Sequence, residues 1–200
     1  MIRQWFTSDW HLRHQNMAKL RGFESVEKMD TLIYNHLIEK VQKHDELYVL
    51  GDLGWEVPVV EEILKLLKQM KVKVYWVTGN HDKRLPLTKL APYCVEIQQT
   101  RIVRNVDGNG RKFFLSHYPH VVFENSFRDS INLYGHVHKS SKEFLEVEDM
   151  MRGQALNVNV ELHDYYPLSK EEILEKVSKK EHNWDYVVFQ REIEREKNNV

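Results

Sequence analysis

The chain has 200 residues, with 29 lysines and arginines against 30 aspartates and glutamates and a net charge of −1. That balance excludes a domain that grips long duplex nucleic acid through many phosphates, which needs a clear positive excess. A single cysteine, Cys94, excludes an internal disulfide framework and suits a reducing compartment, and a chain this long buries enough core to fold without one.

In chain order, Trp5 and Phe6 lead a short strand that ends at Ser8-Asp9. Ser25 reads as an N-cap for an amphipathic helix through Val41, with Met29, Leu32, Ile33 and Leu37 on its apolar face. Leu47 to Leu50 is a continuous apolar strand closed by Gly51-Asp52. Pro58 opens a second helix carrying Val59, Ile63, Leu64, Leu67 and Met70 at helical spacing. Val72 to Val77 is a third strand, ended by Thr78-Gly79-Asn80. This β-α-β-α-β order, with strands apolar throughout, predicts parallel strands in an α/β layer.

The second half changes character. Ile97–Val103 and Lys112–Ser116 flank Asn105 to Gly110, whose Asp-Gly and Asn-Gly pairs predict a hairpin turn. Ile131–Tyr134 and Ala155–Val160 read as further strands, and Ser169 with Glu172 as the capping box of a late helix. Tyr186–Phe189 is predicted as a last strand, and the charged tail from about residue 191 is expected to fray. No internal repeat or linker divides the chain, so residues 1–200 are expected to form one domain: two mixed sheets packed face to face with helices outside, an α-β-β-α sandwich. The N-terminus lacks a leader pattern and no apolar run reaches bilayer length, so a soluble, cytoplasmic protein without a membrane partner is expected. Homo-oligomerisation is left open.

Each polar cluster follows an apolar strand: Ser8-Asp9-Trp10-His11, Gly51-Asp52, Gly79-Asn80-His81-Asp82, Ser116-His117 and Gly135-His136-Val137-His138. Ligands of α/β sheets bind beyond the carboxyl ends of the strands, so these five loops are expected to meet at one edge. Two carboxylates, an amide and at least four imidazoles make an oxygen and nitrogen ligand set without thiolate, which suits manganese, iron, zinc, nickel or cobalt. Seven ligands exceed the needs of one tetrahedral ion and fit two ions about 3.5–4 Å apart that share a carboxylate. Such a pair activates water and neutralises charge on phosphoryl oxygens, which makes phosphoester hydrolysis the natural chemistry.

Asp9-x-His11, Gly51-Asp52, Gly79-Asn80-His81-Asp82, His117 and Gly135-His136-x-His138 resemble the five ordered motifs of the calcineurin-like metallophosphoesterases. Ser8 to Asn16, Arg21 and Asn157 to Glu161 resemble the small single-domain bacterial and phage members. The resemblance implies a first metal on Asp9, His11 and His138, a second on Asn80, His117 and His136, and Asp52 as bridge. Manganese is the first expectation for the ions, with iron, nickel, zinc, cobalt or magnesium as alternatives. It implies a bridging hydroxide that attacks phosphorus in line, and His81 as general acid or as a hydrogen bond to the phosphoryl group. Relatives often carry an aspartate three or four residues after the Asp52 position, where this chain has Trp55 and Glu56. Glu56 or Asp82 is the expected substitute for orienting His81. His14, Asn16 and Arg21 are candidate substrate contacts, Arg21 because guanidinium matches phosphate oxygens.

The implied function is a phosphodiesterase on a small nucleotide-like or other phosphoester. Phosphomonoesterase and nuclease on short single strands are the alternatives. A non-catalytic scaffold is disfavoured because every ligand position and His81 are present.

Overall fold

A computed structural model describes residues 2–126, 128, 130–141, 147, 150–151 and 154–180. The predicted strand at Tyr186–Phe189 and the charged tail lie outside the described residues.

The first sheet is built from β1 (Gln4–Thr7), β2 (Glu46–Leu50), β3 (Lys73–Val77) and β4 (Glu96–Gln98), which pair in parallel. A two-residue strand, β9 (Leu168–Ser169), adds antiparallel to β1, giving the order β4-β3-β2-β1-β9. The strand alternation sorts residues onto two faces. Trp5, Leu47, Val49, Val74 and Trp76 share a core with α2 (Val26–Lys40) and α3 (Val57–Gln69). Phe6, Tyr48, Leu50, Tyr75 and Val77 face the second sheet. Burial on both faces is why these strands read as unbroken apolar runs. The helices begin where expected: Ser25 accepts a hydrogen bond from the Lys28 amide, and a proline occupies the first turn of α3.

The second sheet has the order β5-β6-β7-β8: β5 (Thr100–Val103), β6 (Lys112–Ser116), β7 (Ser130–Tyr134) and β8 (Gln154–Asn157). β5 is antiparallel to β6, and β6, β7 and β8 are parallel. Between the sheets Tyr48 stacks on Phe6 and Tyr75 at 4.8 and 4.7 Å, and Phe113 meets Phe6 edge-on at 5.3 Å. The fold is thus the expected pair of mixed sheets flanked by helices. Among the described residues no helix is long and apolar enough to cross a membrane.

Three details differ from the sequence reading. Ile97–Val103, expected as one strand, is two: the chain bends at Gln99, leaving β4 in the first sheet and starting β5 in the second. One continuous strand would have to lie in both sheets. The strand expected over Ala155–Val160 ends at Asn157; Asn159 then makes an isolated parallel bridge to Ser8, and Val160 begins a 3-10 turn capped by the Asn159 side chain. The stretch around His14 and Asn16, given no element from the sequence, forms α1 (Gln15–Leu20), whose first turn is capped by His14 Nδ1 accepting from the Met17 amide at 3.2 Å.

The late helix α4 (Lys170–Ser178) carries the expected capping box between Ser169 and Glu172, and it buries Ile173 and Val177 in the inter-sheet core. Ser169→Ala removes the cap and is expected to lower unfolding free energy by about 1 kcal/mol, read as a shifted urea midpoint at unchanged slope.

Candidate metal centre

The loops after β1 and β2 stay zipped beyond the strands: Asp9 N donates to Gly51 O at 3.0 Å, His11 N to Asp52 O at 2.9 Å, and Leu12 N to Leu53 O at 3.1 Å. In the second sheet Gly135 N donates to His117 O at 3.0 Å, drawing the ends of β6 and β7 together. The two halves meet where His136 N donates to Asp9 Oδ2 at 3.0 Å. Asp9, His11, Asp52 and His136 all adopt left-handed backbone conformations, with φ of 58°, 50°, 56° and 66°. Such strain costs roughly 1–2 kcal/mol per residue and gathers where a side chain must be aimed.

Two glycines make room for the carboxylates. A Cβ on Gly79 would overlap Asp52 Oδ1, and one on Gly135 would overlap Asp9 Oδ2 and Ser8 Oγ. Asp82 fixes the floor. Its buried carboxylate accepts from the amides of Asp52, Leu53 and Gly79 and from Trp76 Nε1, at 2.7–3.1 Å. With its oxygens so engaged it is a loop-builder, not an orienter of His81. Glu56, the other candidate, stands at the N-cap position of α3 without a side-chain cap bond and faces Arg13 at 3.8 Å.

The structure brings all seven expected residues into one cluster. Potential ligand atoms of Asp9, His11 and His138 lie within 4.8 Å of one another, as do those of Asp9, Asp52 and His117, and of His11, Asp52 and His81. Asp52 Oδ2 stands 3.6 Å from both His11 Nε2 and His117 Nε2. His136 joins through its amide bond to Asp9 and a ring contact with His117 at 5.1 Å.

Two observations fit a cation. His11 Nε2 is buried without a hydrogen-bond partner, a state that is costly for a polar atom unless something binds it. His117 Nδ1 lies 2.8 Å from Leu50 O, which can only accept, so the proton sits on Nδ1. In the neutral ring that a metal requires, this leaves the Nε2 lone pair facing Asn80 Oδ1 at 2.9 Å. Two acceptors that close repel each other, and a divalent ion would turn the repulsion into coordination.

Behind the ligands lies a relay that the sequence reading did not assign. Glu161 Oε1 is 2.7 Å from His138 Nδ1 and also accepts from Arg21 Nε at 2.7 Å. A carboxylate on Nδ1 fixes the tautomer and leaves Nε2 free for metal. Arg21 continues inward, donating from Nη2 to Asp9 O at 2.7 Å and from Nη1 to Trp10 O at 3.1 Å. It is therefore buried beneath the cluster with its donors spent, rather than presented to substrate as the sequence suggested. Asn16 lies exposed on α1. His14 does reach the site: its ring is 5.4 Å from His11 and 5.7 Å from His81. Trp55 packs beside it at 4.4 Å, and Tyr118 forms the opposite rim, 4.7 Å from His136.

The protonation pattern is set by burial and neighbours. Burial alone would raise Asp9, but His11, His117 and His138 around it hold its carboxyl well below the usual range. Burial pushes His11 down to about 4, so it is neutral near pH 7. Burial pushes Asp52 up to about 7, reinforced by Asp9 and Asp82 and opposed by His117. Burial would lower His138, yet Glu161 and Asp9 raise it. Burial and the Arg84 charge lower His81, burial and His81 lower His14, and burial and His117 lower His136.

A metal ion binds only the deprotonated forms. With Asp52 and His138 both raised, metal affinity is expected to climb with pH through about 7, and binding near pH 6.5 should release protons. Calorimetry in buffers of different ionisation enthalpy measures that release directly. Proton-neutral binding would contradict the assignment.

A buried acidic and imidazole centre at the carboxyl ends of two sheets defines a metal-dependent hydrolase site. The sequence matches the family described as calcineurin-like phosphoesterase over residues 2–199, and the chain belongs to that family, whose members are metal-dependent phosphoesterases. It is 27% identical over 181 residues to an uncharacterized protein of Methanocaldococcus jannaschii, covering 90% of this chain and 93% of that one. It is 29% identical over 160 residues to the Gene 66 protein of Mycobacterium phage D29, covering 69% and 79%. A protein of unknown function from Aquifex aeolicus has a crystal structure of the same fold, with TM-score 0.70 and 28% identity, covering 88% of this chain and all of that one.

Proposed function

We propose that the protein is a phosphodiesterase acting on a small nucleotide-like or similar phosphoester. Two divalent transition-metal ions, manganese foremost, would be held by Asp9, His11 and His138 on one side and Asn80, His117 and His136 on the other. The observation that carries this reading is the place of Asp52, whose Oδ2 lies equally far from an imidazole of each set. When bound, the ions supply an activated water and positive charge against the phosphoryl oxygens.

The chain's own residues do the rest. Asp52 accepts from the His81 amide at 2.9 Å, which fixes that backbone beside the bridging position. The His81 ring is half-exposed with Nε2 3.9 Å from Asp52 Oδ2. Burial and the Arg84 charge lower its pKa, which favours the neutral ring near pH 7, and bound cations would lower it further. His81 therefore acts as a hydrogen-bond donor to the phosphoryl group rather than as a source of a full proton. His14, with Nδ1 spent on the Met17 amide, offers Nε2–H to the same space. Neutral donors suit a singly charged diester better than a doubly charged monoester. The lone thiol accords with a reducing, cytoplasmic setting.

The test is a panel of aryl diesters and monoesters, cyclic nucleotides and dinucleotides. It is run on chelated protein and after addition of manganese, nickel, zinc or magnesium in turn. Turnover is expected only with metal, and faster on diesters. Activity in chelated protein overturns the metal reading; faster monoester turnover overturns the diester reading.

A further inference from the structure

We propose that Trp55 and Arg84 form a stacking subsite for an aromatic ester group, making the substrate a nucleotide or comparable aryl diester. This rests on the proposed phosphodiesterase reading and names its substrate class.

Trp55 stands three residues after Asp52 in the loop beyond β2, and its amide donates to Leu12 O at 2.8 Å, so its backbone is fixed. Trp55 is 38% exposed, whereas Trp5, Trp10 and Trp76 are buried at 5%, 1% and 1%. A partly exposed indole beside a reactive centre, its backbone fixed and one face taken by a cation, favours a function in binding. The ring is locked against His14 at 4.4 Å and stands 5.6 Å from His81.

Arg84 ends the 3-10 turn Asp82–Arg84 that follows His81, and its guanidinium lies over the indole at 3.7 Å. The side chain is exposed, and among the described residues no carboxylate lies within ion-pair distance of it. Arg13 and Arg21, by contrast, are paired with acidic groups. A guanidinium backed by an indole presents a flat, positively charged outer face. Nucleobases stack on such planes whatever their hydrogen-bonding edges.

The wall also stands on the appropriate side. His81 links it to Asp52, its ring 5.6 Å from Trp55 and its Nε2 3.9 Å from Asp52 Oδ2, while Tyr118 packs on His117 and His136. A phosphate seated at Asp52, with one ester group leaving past His81, directs that group onto Arg84 and Trp55. The flat π surface is matched by a nucleoside or aryl alcohol, and a flexible alkyl alcohol gains little from it.

Two measurements decide the matter. In the first, kcat/KM is compared on a dinucleoside monophosphate and on glycerophosphocholine, a dialkyl diester, for wild type, Trp55→Ala and Arg84→Ala. The ratio favouring the dinucleotide is expected to fall about tenfold in Trp55→Ala, the usual scale for losing one base-stacking aromatic, and to fall in Arg84→Ala. An unchanged ratio overturns the subsite. The second is independent of turnover: adenosine added to the zinc-loaded protein is expected to quench tryptophan emission, ribose is not, and Trp55→Phe should abolish the response. Absence of quenching in wild type, or its persistence in Trp55→Phe, overturns the subsite. If wild type hydrolyses neither diester, the phosphodiesterase reading fails by itself and the quenching result alone judges the subsite.

Discussion

Asp52→Asn is expected to reduce metal-dependent hydrolysis by at least about 10²–10³-fold, the loss seen when one preorganised charge-stabilising group is removed, while the protein stays folded. The amide keeps an oxygen for the His81 amide bond but withdraws the negative charge that two cations would share. Stability should move the other way. The carboxyl titrates at about 7 in the folded chain against 3.8 as reference. The folded state therefore holds this proton more tightly than the unfolded state. Its favourable contribution is complete below about 3.8 and is lost as pH rises through about 7. Above that range an ionised, buried Asp52 destabilises the metal-free protein, and asparagine removes the burden. Metal-free Asp52→Asn should accordingly melt no lower than wild type at pH 6 and higher at about pH 8. A variant that keeps metal-dependent turnover within about tenfold of wild type would remove Asp52 from the centre.

Glu161→Ala is the second large effect, and it acts on two quantities together. The substitution leaves the Arg21 guanidinium buried with its carboxylate gone, a loss of about 3–5 kcal/mol for a broken buried pair. It also takes the 2.7 Å carboxylate partner from His138 Nδ1, leaving only Asn159 Nδ2 at 3.2 Å, and loss of such a partner typically costs about 10–100-fold in metal affinity. Glu161→Gln separates the two effects. An amide oxygen can still accept from His138 Nδ1, so metal affinity should fall less than in the alanine variant, while the lost charge still weakens the hold on Arg21. Denaturant unfolding of metal-free protein and metal titration by calorimetry read the two quantities separately. Wild-type metal affinity in Glu161→Ala would show that the relay does not orient His138.

The centre was legible in sequence because its residues lie close behind strand ends. Asp9, Asp52 and His136 come two residues after their strands, His117 one and Asn80 three. Apolar runs reveal the strands, and α/β topology places their carboxyl ends together. Arg21 was misread for a physical reason: its partner Glu161 is 140 residues away, so nothing local shows that its donors are taken. Its chemistry suits phosphate equally well. Asp82 stands among the motif residues but supports the floor by collecting backbone amides, a role that exists only once the loops after β2 and β3 have met. α1 escaped detection because it is six residues long and capped by histidine rather than by serine, threonine or aspartate. β9 is two residues long and carries no period of its own.

The zipped loops after β1 and β2 bear on the order of events in folding. Asp9 and Asp52 come together only after strands 42 residues apart in register have paired, and His136 arrives with the other sheet. Contacts of such separation form late on a folding path, because loop closure must precede them. An ion held at this centre is then expected to recognise only a nearly finished chain and not to act as a nucleus around which it gathers. Its stabilisation would fall on the native side of the barrier, so adding metal should slow unfolding and leave the folding rate almost unchanged in stopped-flow kinetics.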